Sequence, residues 1–232
     1  MAVKNVVVRL GQSNENGKAT LAALPASLRG AQANTFVFNY ENNALETLNC
    51  DGVGTNLPNN NTSHTADQTG PILQASAEAV ADLGEIYLFT MGKDAASLCQ
   101  SSLFQSWNAE SLDLYVEFAT RWNAFKALML AAGHTINILY ISWYQGESDS
   151  FVEGNDLAYY GIFKRFVKDI RSIVSPDSVS GPRWVTYLCH QYIAAALATS
   201  QFINRSLNVA AAQRRVGWDD PEYRVVETNN LS

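Results

Sequence analysis

The sequence predicts an α/β fold in which parallel strands, joined by right-handed crossovers, form one central sheet with helices on both faces. Short β-rich apolar runs alternate with stretches whose apolar residues recur every three or four positions almost throughout the chain. Such alternation belongs to parallel sheets with crossover helices. A chain of 232 residues, 47% hydrophobic and 16% charged, is long enough for one well-buried core and too apolar for a disordered chain. One domain spanning residues 1–232 is expected.

Residues 4–10 are rich in valine and stop at Gly11, which reads as a first strand; the polar residues 13–16 that follow can cap a helix. This opening apolar run is too short for a membrane span or a signal-peptide core. Residues 35–40 are a second strand candidate. Residues 41–69, crowded with Asn, Thr, Gly and Asp, read as a long loop. Ile72, Ala75, Ala79 and Leu83 have helical spacing before Gly84, and residues 85–91 form a strand closed by Gly92. Tyr115, Phe118, Trp122, Phe125 and Met129 mark a helix over 111–132 that Gly133 stops, followed by a strand over 135–143. Leu157, Tyr160, Phe163, Val167, Ile170 and Val174 make an amphipathic stripe ended by Pro176. A strand over 183–189, a helix over about 198–215 and a strand over 223–227 complete the pattern.

The 16 Lys and Arg against 22 Asp and Glu give a formal charge of −6, with no basic run to track phosphates, so nucleic acid is not an expected partner. No membrane partner is expected either. Cys50, Cys99 and Cys189 have no spacing that suggests a zinc site or a disulfide framework. Reduced buried thiols fit synthesis in a reducing compartment, which is compatible with later release by lysis or as part of a particle.

In a doubly wound sheet, ligands bind beyond the C-terminal ends of the strands. Gly11-Gln12-Ser13-Asn14 lies there after the first strand. It offers either a serine nucleophile near helix N–H groups or simply a serine cap. Tyr144-Gln145-Gly146-Glu147-Ser148-Asp149 follows the 135–143 strand as a dense cluster of hydrogen-bonding groups. Gln145 can donate to an oxyanion, and Glu147 and Asp149 can orient neighbouring groups or a base; the alternative is a solvated turn that caps the next helix.

Together, Gly-Gln-Ser-Asn at 11–14 and Trp-Tyr-Gln-Gly-Glu-Ser-Asp at 143–149 resemble the sialate O-acetylesterase and acetylxylan-esterase-like branch of the SGNH hydrolases. The resemblance implies a three-layer α/β/α sandwich with a mostly parallel, flavodoxin-like sheet. It implies a serine esterase that removes O-acetyl groups from an acetylated carbohydrate, with Ser13 as nucleophile and Gln145 in the oxyanion hole. Gly70-Pro71 is similar to the family's second block, which gives Gly70 an oxyanion N–H. Gly92-Lys93-Asp94-Ala95-Ala96-Ser97 before Trp107 stands where the family shows a Gly-Gly-Thr-Ser-like turn. Gln213, within Ala211-Ala212-Gln213-Arg214, and residues 225–228 are similar to the last helix and strand. Gln12 and Asn14 flank the nucleophile position and, with Trp107, are expected substrate contacts. Trp107, Trp143 and Tyr144 either stack on sugar faces or fill the core. Serine ester hydrolysis needs no cofactor, and no metal is expected.

The nucleophile needs a base, which this family supplies from a C-terminal Asp-x-x-His; the chain as given stops at Ser232 without that motif. Among its histidines, His134 opens a strand at the far end from the site, His64 lies in the 41–69 stretch, and His190 follows the 183–189 strand at the site end. His190 is the catalytic candidate, with Glu147 as an orienting carboxylate. Otherwise the Asp and His come from a further segment or a partner chain. The remaining expectation is a degenerate module that binds a glycan or serves a structural role, as in a phage particle. A phosphate-binding doubly wound protein is disfavoured, because the first turn lacks the repeated glycines that such sites need.

Overall fold

The computed structural model describes residues 1–12, 19–20, 26, 30–50, 68–69, 79–99, 105–188 and 200–227. Seven strands form its main sheet: β1 (Ala2–Gly11), β2 (Gly30–Asn39), β3 (Ala44–Cys50), β4 (Ile86–Gly92), β5 (His134–Tyr144), β6 (Arg183–Tyr187) and β7 (Tyr223–Val226). The order across the sheet is β3-β2-β4-β1-β5-β6-β7. Every neighbouring pair is parallel except the β2–β3 hairpin. A small antiparallel ribbon pairs Ala19–Thr20 with Gln68–Thr69. The helices are α1 (Leu114–Ala131), α2 (Glu147–Phe151), α3 (Asn155–Val174) and α4 (Ser200–Val216), with residues 79–83 also helical. The fold is the mostly parallel α/β architecture expected.

The chain alternates side chains across the sheet as a pleated strand requires. Val6, Val8 and Leu10 of β1, with Tyr87, Phe89 and Met91 of β4, face the larger core. There they meet Phe118, Trp122 and Phe125 of α1 and Phe163, Phe166 and Val167 of α3. Val7, Ile86 and Leu88 point the other way, onto Val37 and Leu48, where Ala79 and Val80 of the helical segment pack. Trp107, Trp143 and Trp184 are fully buried. Burying a large apolar side chain contributes about 1.5–3 kcal/mol, so these aromatic groups dominate the packing.

Three expectations change. Within residues 41–69, residues 44–50 form β3 rather than loop. The turn into it is made by Asn39, whose Oδ1 accepts from the Glu41 N–H at 3.1 Å. Asn43 sits at φ 50°, a left-handed conformation that asparagine tolerates. Asn43, one of the residues that suggested irregular chain, is thus part of the turn chemistry of a hairpin. In α3, Leu157 is 80% exposed and Tyr159 is 0% exposed, so the buried stripe runs through Tyr159, Phe163, Val167, Ile170 and Val174. Tyr159 is drawn inward by hydrogen bonds to its hydroxyl, described below. Finally, β6 ends at Tyr187, with Leu188 still paired through its N–H to the Val226 carbonyl at 3.1 Å. Cys189 lies outside the described residues.

Among the described residues, no helix is long and apolar enough to cross a membrane. No group of three or more His, Cys, Asp or Glu among them is placed to hold a metal ion.

Candidate active site

The three central strands end level with one another. Gly11 of β1 is in register with Gly92 of β4 on one side and Tyr144 of β5 on the other. From β1 the chain first builds β2, β3 and β4 on one side and then crosses to β5, β6 and β7 on the other. The end of β1 is therefore the topological switch point, where an open α/β sheet leaves a crevice.

Both motifs converge there. The Gly11 carbonyl accepts from the Lys93 N–H at 3.2 Å and from Trp107 Nε1 at 3.1 Å. The Gln12 N–H donates to the Tyr144 carbonyl at 3.1 Å. Gln12 Oε1 accepts from the Ser148 hydroxyl at 3.1 Å and from the Ser148 N–H at 3.4 Å. Gln12 is 4% exposed, so it links the first motif to α2 from inside the protein. Ser13 and Asn14 follow it in sequence and lie outside the described residues, as do Gly70, His64 and His190.

The second motif is not a solvated turn. Gly146 takes φ 152° and ψ −24°, a conformation open to glycine alone, and turns the chain directly into α2. Glu147, Ser148, Asp149 and Ser150 are all buried. Gln145 is 0% exposed. Its Nε2 donates to the Ala96 carbonyl at 3.1 Å and to Asp149 Oδ2 at 2.5 Å. Its Oε1 accepts from the Tyr159 hydroxyl at 3.0 Å. Two acceptors facing Nε2 and one donor facing Oε1 fix the amide orientation. Gln213 Nε2 donates to the Gln145 backbone carbonyl at 2.7 Å.

Asp149 organises the other side. Besides Gln145 it accepts from the Leu98 N–H at 2.7 Å, the Cys99 N–H at 2.9 Å and Asn155 Nδ2 at 3.2 Å. Burial pushes its carboxyl pKa up, while the Leu98 N–H, the Gln145 amide and the Cys99 N–H pull it down. The Cys99 thiol is pushed far above its usual value by burial first and by the neighbouring Asp149 second.

Trp107 requires a correction. It is 0% exposed and packs edge-on against Trp143 and Phe166, with its indole N–H used by Gly11. A ring so enclosed fills the core and holds the end of β1; it offers no face to a sugar. Trp143 is likewise 0% exposed. His134 stands where expected, away from the site: it is in register with Ala2 at the opposite end of β1, roughly 30 Å from Gly11 at about 3.3 Å per residue. Tyr159 and Gln213 received no role from the sequence. Their signal was a tyrosine on the apolar side of α3 and a glutamine in the Ala-rich run of α4, each needing a buried partner.

A family model described as carbohydrate esterase, sialic acid-specific acetylesterase, matches residues 3–232. The chain belongs to that family. It is thereby an esterase by descent, and the two motifs that meet at the switch point are those that suggested the relationship. A search of curated proteins gives no significant match. Among solved structures, the esterase resembles a protein of Arabidopsis thaliana with TM-score 0.70 and 16% identity, covering 99% of this chain and 87% of that one. It also resembles NanS with TM-score 0.70 and 12% identity, covering 100% of this chain and 79% of that one. At these identities the likeness is one of fold.

Proposed function

We propose that this esterase removes O-acetyl groups from a carbohydrate through an acyl-enzyme on Ser13. The observation that carries the reading is the junction at the end of β1, where Gln12, the residue before Ser13, is tied to Tyr144 and Ser148 of the second motif. In the proposed reaction the Ser13 hydroxyl attacks the ester carbonyl carbon while a base takes its proton. The tetrahedral oxyanion collapses, the sugar hydroxyl leaves with that proton, and water hydrolyses the acetyl-serine to acetate. Gly70 and Gln145 are assigned to the oxyanion, Glu147 to orienting the base, and Gln12 and Asn14 to the substrate's surroundings. His190, two residues beyond Leu188 at the end of β6, is assigned as base. Gln145 takes the oxyanion role by exchanging the Ala96 carbonyl for substrate and keeping its shorter bond to Asp149.

The test is hydrolysis of p-nitrophenyl acetate by the wild type and Ser13→Ala at neutral pH, with folding matched by circular dichroism. Turnover by the wild type and a loss on the order of a thousand-fold or more in the variant is expected. Equal rates in the two proteins refute Ser13 as nucleophile.

A second reading is a module that keeps the fold and binds a glycan, or serves in an assembly, without cleaving an ester. One observation favours it: both Gln145 amide hydrogens are used internally. Two inert proteins in the assay decide for this reading.

A further inference from the structure

We infer, taking the esterase reading of Gln145 as given, that Asp149 is a positioning residue. Its carboxylate anchors the Gln145 amide to the turn after β4, so that the strand ends on either side of Gly11 keep one spacing.

The turn after β4 and the end of β5 carry no strand pairing to each other, because β1 lies between them. What joins them is side chains from the second motif. Gln145 grips the Ala96 carbonyl at 3.1 Å, and Asp149 takes the Leu98 and Cys99 N–H groups at 2.7 and 2.9 Å. One carboxylate oxygen, Oδ2, is shared between Leu98 and Gln145, so the turn's backbone and the glutamine amide are held by the same atom. The other oxygen takes Cys99 and Asn155, the first residue of α3. Asp149 therefore fixes the turn, the glutamine and the start of α3 together.

A buried carboxylate is costly unless donors surround it. Here they do, and charge-assisted bonds are the strong and directional ones. Any hydrophobic residue of similar size fills the space, but none holds an amide nitrogen at a set point. Directional restraint of a group that meets the reacting oxygen is what a chemical step depends on, since a misplacement of about 1 Å costs about a hundred-fold in rate.

Asp149→Asn is nearly isosteric and turns one acceptor oxygen into a donor nitrogen, which confronts two of the four donors. We expect this variant to lose about 10- to 100-fold in kcat toward p-nitrophenyl acetate with KM within about twofold. Its far-UV circular dichroism is expected to be retained. In 15N–1H spectra of the full chain, the Gln145 side-chain amide pair is expected to move toward the position of free glutamine. Asn155→Ala removes one donor to Asp149 and is expected to shift the same resonances less and in the same direction. It serves as the decisive variant where Asp149→Asn does not fold.

The proposal is overturned if kcat stays within twofold of wild type in Asp149→Asn. It is also overturned if kcat falls only in proportion to the folded fraction, or if the Gln145 resonances stay in place in the folded variant. Inertness of the wild type toward the ester sinks the esterase reading instead. The Gln145 resonances and the hydrogen exchange of the Leu98 and Cys99 amides then still decide whether Asp149 is the anchor.

Discussion

Tyr159→Phe is a change of one oxygen atom that this structure makes expensive. The Tyr159 hydroxyl donates to Gln145 Oε1 at 3.0 Å and accepts from Trp143 Nε1 at 3.3 Å and from Gln213 Nε2 at 3.3 Å. Tyr159, Trp143, Gln145 and Gln213 are all 0% exposed, so water does not stand in for the lost atom. Gln213 keeps its bond to the Gln145 carbonyl at 2.7 Å. Gln145 Oε1 and Trp143 Nε1 lose the partner described here, and each orphaned buried group costs about 1–3 kcal/mol. The expected destabilisation is therefore about 3 kcal/mol, which for a chain of this length lowers Tm by about 6–12 °C. Tyr115→Phe, on the partly exposed side of α1, is the control and is expected to stay within about 0.5 kcal/mol. Urea unfolding followed by tryptophan fluorescence measures both. A Tyr159→Phe protein as stable as the control refutes the view that the hydroxyl joins β5, α3 and α4.

Two further outcomes follow from the electrostatics. Cys99 is 2% exposed and its thiol is pushed far above the usual pKa by burial, so iodoacetamide at neutral pH is expected to leave it unmodified in the folded protein and to label it after unfolding; peptide mass mapping reads this directly, and labelling of native Cys99 at the rate of a free thiol contradicts it. Arg214 holds Glu227 through two hydrogen bonds of 2.9 and 2.8 Å and lowers its carboxyl pKa from 4.5. A carboxyl with a depressed folded pKa adds stability above its unfolded value and loses that contribution as pH falls through the folded one. The difference in unfolding midpoint between wild type and Glu227→Gln is thus expected to be small at neutral pH, because the pair is exposed, and to vanish once the solution is acidified through the depressed folded pKa, below the ordinary carboxyl range. A difference that grows on acidification contradicts the assignment.

Most of the sheet was legible because the central strands β1 and β4 are buried on both faces over most of their length and read as near-continuous apolar runs, while the outer parallel strands still carry enough apolar residues to stand out. The residues 85–91 and 135–143 runs match β4 and β5 to within a residue or two. β3 was not legible, because an edge strand of a hairpin buries little. Leu48 is the one fully enclosed side chain in it whose burial is described, and the rest of its sequence is indistinguishable from polar loop. The stripe on α3 was misplaced for a different reason. Hydrophobicity favours Leu157 as a core residue, whereas the core selected Tyr159, whose hydroxyl was needed by three polar groups that periodicity does not register.

The site shows the same division. That Gly11-Gln12 and Gln145-Gly146 belong together was readable only from the two motifs as a pair, since neither segment alone distinguishes catalysis from capping. What the sequence left open is which way the polar side chains point. The second motif looked solvated because it is polar, yet Glu147, Ser148, Asp149 and Ser150 are buried. The physical reason lies in the topology: where three strands end level at a switch point, the turns beyond them have no ladder to satisfy their backbone groups. Side chains must then supply the partners. Asp149 does so for Leu98 and Cys99, Gln145 for Ala96, Trp107 for Gly11, and Gln12 for Ser148. A row of conspicuously polar residues after an apolar strand is therefore first a description of unmet hydrogen bonds at the sheet's end. On the proposed esterase reading, catalysis falls to a group that gives up an internal partner to substrate, and in Gln145 the bond to Ala96, longer than that to Asp149 and to a neutral acceptor, is the one to exchange.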